Sequence, residues 1–403
     1  MVMKRIFLYI IATGFLLAGC AEREKVESVT ASIVINESGL DPEVVRPASY
    51  EVTLTNNLSN LSSTVNSSDG RASVPGLVPG LYSVNVKAQT KNGAFVYMLS
   101  GSTRSASFIS DGDSYEIPVQ SAKISSLLFK EIYINGSPGW YFRDQFYEIY
   151  NNGPETVYLD GICFAETVYA NWDYSVVYQW DIPDAGKYVF VEIVWQIPGS
   201  GTDYPLAPGE SASIAQWATN HTAESLGGAS SIDNSGCEFE AIEKERTLWN
   251  GIVINDGPAI NMQRVINAGG YDMPQWLISV YNSDIIMFKP SKPLENANFI
   301  STLNGSESGR EVLIDDIYDA VQWKGNISDG DKLHLPAALD AGFNIAGGGY
   351  HNLSFARKVS GEMEDGSPTF QDTNNSTNDF EVFDKPVHRR YNTKKPSWNT
   401  WEK

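Results

Sequence analysis

Gln145–Phe164, QFYEIYNNGPETVYLDGICF, narrows the folds open to this chain more than any other stretch. Phe146, Glu148 and Tyr150 alternate with Tyr147 and Ile149, the period of two that belongs to a strand. Asn151-Asn152-Gly153-Pro154 is a turn, and a second alternating run extends from Thr156 to Ile162. The whole reads as strand, turn, strand. Comparable runs cover Ala31–Ile35, Tyr50–Thr55 and Leu81–Ala88, the last with Tyr82, Val84 and Val86 on one face. Sustained helical periodicity is absent, and Gly, Pro, Asn, Ser and Tyr are plentiful. A chain of 403 residues built this way is expected to be all-β, with many short strands joined by turns.

The same stretch resembles the core hairpin of the lamin-tail domain, an immunoglobulin-like β-sandwich, at Phe146, Glu148, Ile149, Tyr150, Asn151, Asn152, Gly153, Val157, Leu159 and Gly161. Further segments resemble that family: Leu206-Ala207-Pro208-Gly209-Glu210 through Ile214, Asn255-Asp256-Gly257-Pro258-Ala259-Ile260, and a closing segment made of Phe355–Arg357 and Asp372–Phe380. The resemblance implies an enlarged domain over 122–385, with long inserts at about 165–205, 217–250, 262–310 and 324–350. Distinctive recognition is expected in those inserts, because loops on a rigid sandwich carry function. Ahead of it, Asp69-Gly70-Arg71-Ala72 and Gly76-Leu77-Val78-Pro79-Gly80-Leu81-Tyr82 resemble the regulatory-like domain beside carboxypeptidases, a transthyretin-like sandwich, here over 29–121. The expected architecture is two immunoglobulin-like β-sandwiches in tandem, the second with long inserts. A small basic island, residues 386–403, follows as a tail.

The N-terminus reads as a lipoprotein signal over 1–19. Lys4 and Arg5 precede a short apolar segment, Ile6–Leu17, too short to span a bilayer. Leu17-Ala18-Gly19-Cys20 matches the bacterial lipobox, which makes Cys20 the lipidated residue and 20–28 a polar tether. Glu22 and Glu24 weakly resemble the export tag of surface lipoproteins in Bacteroidetes-type bacteria. The formal net charge of −20 repels phosphate backbones, so no nucleic-acid partner is expected. Cys163 and Cys237 remain. They either pair in an oxidising compartment, closing a loop of about 74 residues worth about 4 kcal/mol, or stay as two buried thiols.

No catalytic pattern emerges. His-Glu-x-x-His, Gly-x-Ser-x-Gly and the phosphate loop are all missing, and His221, His334, His351 and His388 stand singly. Asp111-Gly112-Asp113 and Asp329-Gly330-Asp331 fall short of a calcium loop and read as turns. No cofactor and no metal site is expected. Aromatic residues are the better candidates for binding. Trp172, Tyr174, Val176, Tyr178 and Trp180 share one face at period two, either packed on the sandwich or displayed as a platform for a glycan, a siderophore-like ligand or a protein. Trp140 and Tyr141, beside Gly139, sit in a loop suited to exposure. The pattern as a whole resembles lipoproteins of Bacteroidetes. That implies a non-catalytic, lipid-anchored protein on the outer-membrane surface, accessory to a TonB-dependent transporter taking up iron or another nutrient. The alternative is an adhesive or structural display protein that binds host or matrix proteins or glycans.

Overall fold

Alternation in the first hundred residues becomes one curled sheet in the computed structural model. The structure describes residues 28–402, apart from 41–43, 93–94, 169–175, 177, 244–245, 248–250, 255–256, 271, 273 and 327–333. The signal, Cys20 and the tether up to residue 27 lie outside the described residues, as do Trp172 and Tyr174. The chain divides into two compact units. The first holds the residues through Asn36, Ser49–Val86 and Ser102–Ile117; the second holds Glu37–Ala48, Lys87–Gly101 and Pro118 onward.

Seven strands make the first sheet: β1 Val29–Gly39, β2 Tyr50–Asn56, β3 Ser62–Ser67, β4 Arg71–Leu77, β5 Gly80–Asn92, β6 Phe95–Phe108 and β7 Ser114–Ile124. Their order is β3-β2-β5-β6-β7-β1-β4. The outermost strands, β3 and β4, are consecutive in sequence, and the Ser67 hydroxyl donates to the Arg71 carbonyl at 2.7 Å. The sheet must therefore curl until its edges meet, which limits unpaired edge backbone. Ala31, Ile33, Ile35, Val52, Leu54, Tyr82, Val84 and Val86 line the inner face, as the alternation predicts. Each large aliphatic side chain buried this way contributes about 1.5–3 kcal/mol.

In the second unit two sheets face each other. One runs in the order Ile260–Asn261, Phe239–Glu240, Ser211–Ala215, Phe146–Asn151, Leu127–Tyr133, Ser354–Arg357, Phe380–Phe383. The other has eight strands, including Tyr188–Gln196, Cys163–Thr167, Ser283–Phe288 and Ile317–Lys324 at its centre. Phe129, Ile149 and Ile214 from the first meet Phe164, Trp195, Met287 and Trp323 from the second in one core. The protein is thus all-β and of the β-sandwich class. Among the described residues, α-helix is confined to Ser376–Asp379, and no helix there is long and apolar enough to cross a membrane.

Two expectations change. The stretch 145–164 is not a hairpin. Phe146–Asn151 pairs with Leu127–Tyr133 and Ser211–Ala215, whereas the next strand is only Val157–Tyr158 and pairs with Pro205–Leu206. Asn151 redirects the chain, its side chain donating to the carbonyls of Glu155 (2.7 Å) and Leu206 (2.8 Å). The chain then passes into the opposite sheet at Cys163. The presumed inserts are not loops either: 165–205 supplies Tyr188–Gln196, and 262–310 supplies Ser283–Phe288, both central strands of the eight-stranded sheet.

Arg357 ties the second unit together from inside. Its guanidinium lies 2.6 Å from Asp319 on the opposite sheet, 3.2 Å from Asp372 and 3.5 Å from Asp379, and Nε donates to the Phe129 carbonyl at 2.8 Å. Burial disfavours the cation, but the three carboxylates outweigh it and hold Arg357 protonated. Arg357→Met should therefore cost about 3–5 kcal/mol in urea denaturation, because buried Asp319 loses its counter-charge. Arg357→Lys should recover little of this, since a point charge cannot meet three acids and the carbonyls of Phe129 and Gln371 at once.

Candidate functional site

Strand Leu127–Tyr133 ends in a loop whose tip is Pro138-Gly139-Trp140, closed by a Ser137–Tyr141 bridge with N–H···O distances of 2.8 and 3.3 Å. Trp140 is 74% exposed and sits at φ 66°, a left-handed conformation that is a clear outlier for a bulky residue. Tyr350, in a neighbouring loop, has φ 65°. The two rings stand 4.9 Å apart at 54°, and Tyr281 adds a third ring 6.3 Å from Tyr350 at 81°. The three form an open aromatic notch. Backbone strain of about 1–3 kcal/mol per residue persists only where the surroundings enforce it.

Here the surroundings are explicit. Buried Asn135 accepts from the His351 (2.7 Å) and Leu353 (3.2 Å) N–H groups and donates to the Gly348 carbonyl at 2.5 Å. Its own carbonyl accepts from the Tyr350 N–H at 2.6 Å. Two glycines let the rings approach. A Cβ on Gly136 would lie 2.6 Å from the Tyr141 carbonyl oxygen and 3.2 Å from the Tyr350 ring, and one on Gly349 would lie 2.7 Å from Val280 and 3.2 Å from the Tyr281 ring. Within the Gly347-Gly348-Gly349 run, Gly349 is thus the close-packing position.

Of the residues singled out from sequence, Trp140 is displayed as expected. Tyr141 is not: it turns inward, its hydroxyl 2.7 Å from His221 Nδ1. His221 is buried, and its Nε2 lies 2.9 Å from the Trp217 carbonyl, so Nε2 carries the proton and Nδ1 accepts from Tyr141. Trp180 stacks on Phe190 at 4.0 Å and 8°, making one bridge to Thr302 and no strand. Half-buried Tyr178 meets Glu307 at 3.3 Å. The period-two face is packed against the sandwich where it is described. Tyr281 and Tyr350 completed the notch unannounced, and the glycine run was their only signal.

Cys163 and Cys237 do not pair. Phe164 points into the shared core, so its neighbour Cys163 packs outward with Val191, Ile286 and Val312. Cys237 packs with Ala215, Ala218 and Ala259 outside the other sheet. Sheets stack about 10 Å apart, and outward-facing residues of opposite sheets exceed the roughly 7 Å Cα limit of a disulfide. Burial pushes the Cys163 thiol up to about 12 and the Cys237 thiol well up also. Both should stay unreactive to maleimide in the native protein and label fully in denaturant without reductant.

Residues 386–402 are not a loose tail but a strap across the outer face of the second-unit sheet that contains Phe146–Asn151. A bulge between Phe129 and Glu131 turns Lys130 and Glu131 both to that face. Lys130 meets Glu148 at 2.8 Å, Arg390 holds Glu131 at 2.8 and 2.9 Å, and Arg389 bonds Glu238 and, at 2.9 Å, Glu402. Burial raises Glu148, but Lys130 and Arg389 overcome this and hold it down at about 2. Beside the strap is a cleft of about 400 Å³ lined by Ser213, Cys237, His388, Arg389, Trp401 and Glu402. His388 Nε2 is 2.9 Å from Asn234 Oδ1, and the ring packs 4.1 Å from Phe146. Burial presses His388 down to about 4. Ser213 is buried, its hydroxyl 3.5 Å from His388 Nδ1. An imidazole whose pKa burial holds down is a weak general base, and a thiol whose pKa burial raises is a weak nucleophile. Among the described residues, no cluster of metal-ligating side chains forms.

Fold and site together define an all-β protein whose exposed feature is a loop-borne aromatic notch. The chain belongs to the DUF4876 family, described as a protein of unknown function. The family model matches residues 207–387. The crystal structure of a DUF4876 family protein from Bacteroides thetaiotaomicron is 33% identical, aligns over 92% of this chain and 99% of that one, and superposes with a TM-score of 0.64. Two candidate adhesins from Bacteroides ovatus overlap far more loosely. One is 8% identical over 76% of this chain and 88% of its own, with a TM-score of 0.22; the other is 10% identical over 34% and 55%, with a TM-score of 0.17. No curated protein matches.

The His221 site predicts a pH dependence. Burial lowers its pKa to about 4 from 6.5, with Asp233 opposing and Arg143 assisting. The unfolded chain binds the proton first, so stability is full above pH 6.5 and falls as pH drops toward 4, by on the order of 3 kcal/mol. His221→Gln should make that slope shallower, leaving the part due to His388, in denaturation measured between pH 7 and 4.

Proposed function

We propose that this chain is a non-catalytic binding protein that uses the Trp140–Tyr350–Tyr281 notch as its contact surface. It is held by a lipid on Cys20 at the outer-membrane surface and serves as an accessory to a TonB-dependent transporter of iron or another scarce nutrient. The tandem immunoglobulin-like arrangement, with the regulatory-like and lamin-tail-like names for its two parts, belongs to the same proposal. The observation that carries it is Trp140, a large apolar ring left in solvent on a backbone held in a disfavoured conformation. A ring that served only packing would be buried; this one is held out by a loop fixed through Asn135. Exposed aromatic side chains on rigid loops are efficient anchors, because large contact area is gained with little loss of side-chain freedom.

Affinity purification of the full-length protein from its native outer membrane, followed by mass spectrometry for proteins and metals, tests this. A TonB-dependent barrel should co-purify with the wild type. It should be lost, by at least about tenfold, with Trp140→Ala, while the melting temperature stays within a degree or two. Recovery of the barrel undiminished by Trp140→Ala would remove the notch from the mechanism. Recovery of host or matrix proteins with no barrel would establish the adhesive alternative.

A further inference from the structure

The end of the first unit where β1 begins carries an exposed aliphatic face. Val29, the first residue of β1, pairs with Leu77 at the end of β4, so Val78 follows directly beside the chain's point of entry. The Asn57 N–H donates to the Leu81 carbonyl at 2.9 Å, which seats the β2–β3 turn against the start of β5. The Gly112 N–H donates to the Thr30 carbonyl at 2.9 Å, and the Thr30 N–H donates to Asp111 at 2.8 Å, which brings the β6–β7 turn to the same end. Three turns thus surround the first residues of β1. Their aliphatic side chains point into solvent: Leu58 is 95% exposed, Leu61 72% and Ile109 65%, and Val78 and Leu81 are each more than half exposed.

Inward-facing positions of these strands are already filled, so the five side chains are surplus to the interior of the sheet. Neither lysine nor arginine occurs in residues 57–61, 78–81 or 109–113. Asp111 and Asp113 accept backbone N–H groups, at 2.8 Å in each case, and serve the turns. The face is apolar without being cationic, which favours hydrocarbon over a polyanion.

We propose that this end is a membrane-contact face whose aliphatic turns enter the bilayer interface beside the lipid anchor. The proposal rests on lipidation of Cys20 as proposed above. From Cys20 to Val29 the chain has nine links of at most about 3.6 Å, so the face lies within roughly 30 Å of the acyl chains even when the tether is fully extended. Acyl anchoring and apolar insertion are two signals, and together they hold one end of the unit to the surface. Because no basic residue takes part and Asp111 and Asp113 border the face, contact should not require anionic lipid and should not weaken as salt is raised.

An environment-sensitive fluorophore on single engineered cysteines of the full-length chain tests this. Buried Cys163 and Cys237 do not compete for label. Leu58→Cys reports the face, and Val45→Cys, half exposed in the β1–β2 connection at the other end of the strands, is the control. On phosphatidylethanolamine–phosphatidylglycerol vesicles with nitroxide-bearing acyl chains, the label at position 58 should shift to the blue and lose at least half its emission. The label at 45 should do neither, in low or high salt. Position 58 remaining in water on vesicle-bound protein overturns the proposal. So does shielding of 58 that needs a detergent extract of native outer membrane, which would mean that a protein covers the face. If the protein does not float with vesicles and Cys20 carries no acyl mass, the anchor is refuted separately. The same labels on chain tethered to nickel-chelating lipid by a hexahistidine before residue 21 then decide the face alone.

Discussion

A single guanidinium organises the larger unit. Arg357 sits at the meeting point of both sheets and the closing segment, with Asp319 of the opposite sheet and Asp372 and Asp379 of the closing segment in reach. Apolar contacts across the core, such as Phe129 against Phe164, are non-directional and tolerate a range of sheet placements. The charged contact does not. An Asp319 that accepts both from Arg357 and from the Phe129 N–H at 2.7 Å fixes one sheet's register over the other. Such a group makes alternative pairings costly, because each would strand a buried charge.

A similar logic governs the outer face of the sheet that contains Phe146–Asn151. Lys130, Glu131, Glu148 and Glu238 would be an odd set of side chains for a strand face in water or for an interior. They are neither, since Arg389 and Arg390 are laid across them. The sandwich therefore has an apolar core pinned by the Arg357 cluster and a second ionic layer under its strap, where Glu148, Glu238 and Glu131 each meet a cation.

Strand alternation made much of the fold legible. Ala31, Ile33 and Ile35 or Tyr82, Val84 and Val86 declare their faces by period alone. The misreadings share one cause, which is contact between residues distant in sequence. Thr156–Ile162 alternates, yet Asn151 bends the chain away before a hairpin can close. Lys130 and Glu131 are consecutive, and only a bulge lets both face outward. Arg389 and Arg390 look like a loose basic tail until their acids, 151 and 259 positions earlier, are found beside them. The notch was half legible. Trp140 announced itself beside Gly139, whereas Tyr350 and Tyr281 depend on a glycine run whose purpose is visible only as a missing Cβ.

The strap also sets an order of events. Glu148, central to its sheet, waits for an Arg389 backbone contact 241 positions downstream, and the Glu131 carboxylate waits still longer. A ribosome adding roughly 5–20 residues per second needs on the order of ten seconds or more to supply them. During that interval the strands around Glu148 carry buried acids without most of their cations, and the sheet is disfavoured. Such a chain stays open while it is being made and becomes committed only once its distant arginines arrive.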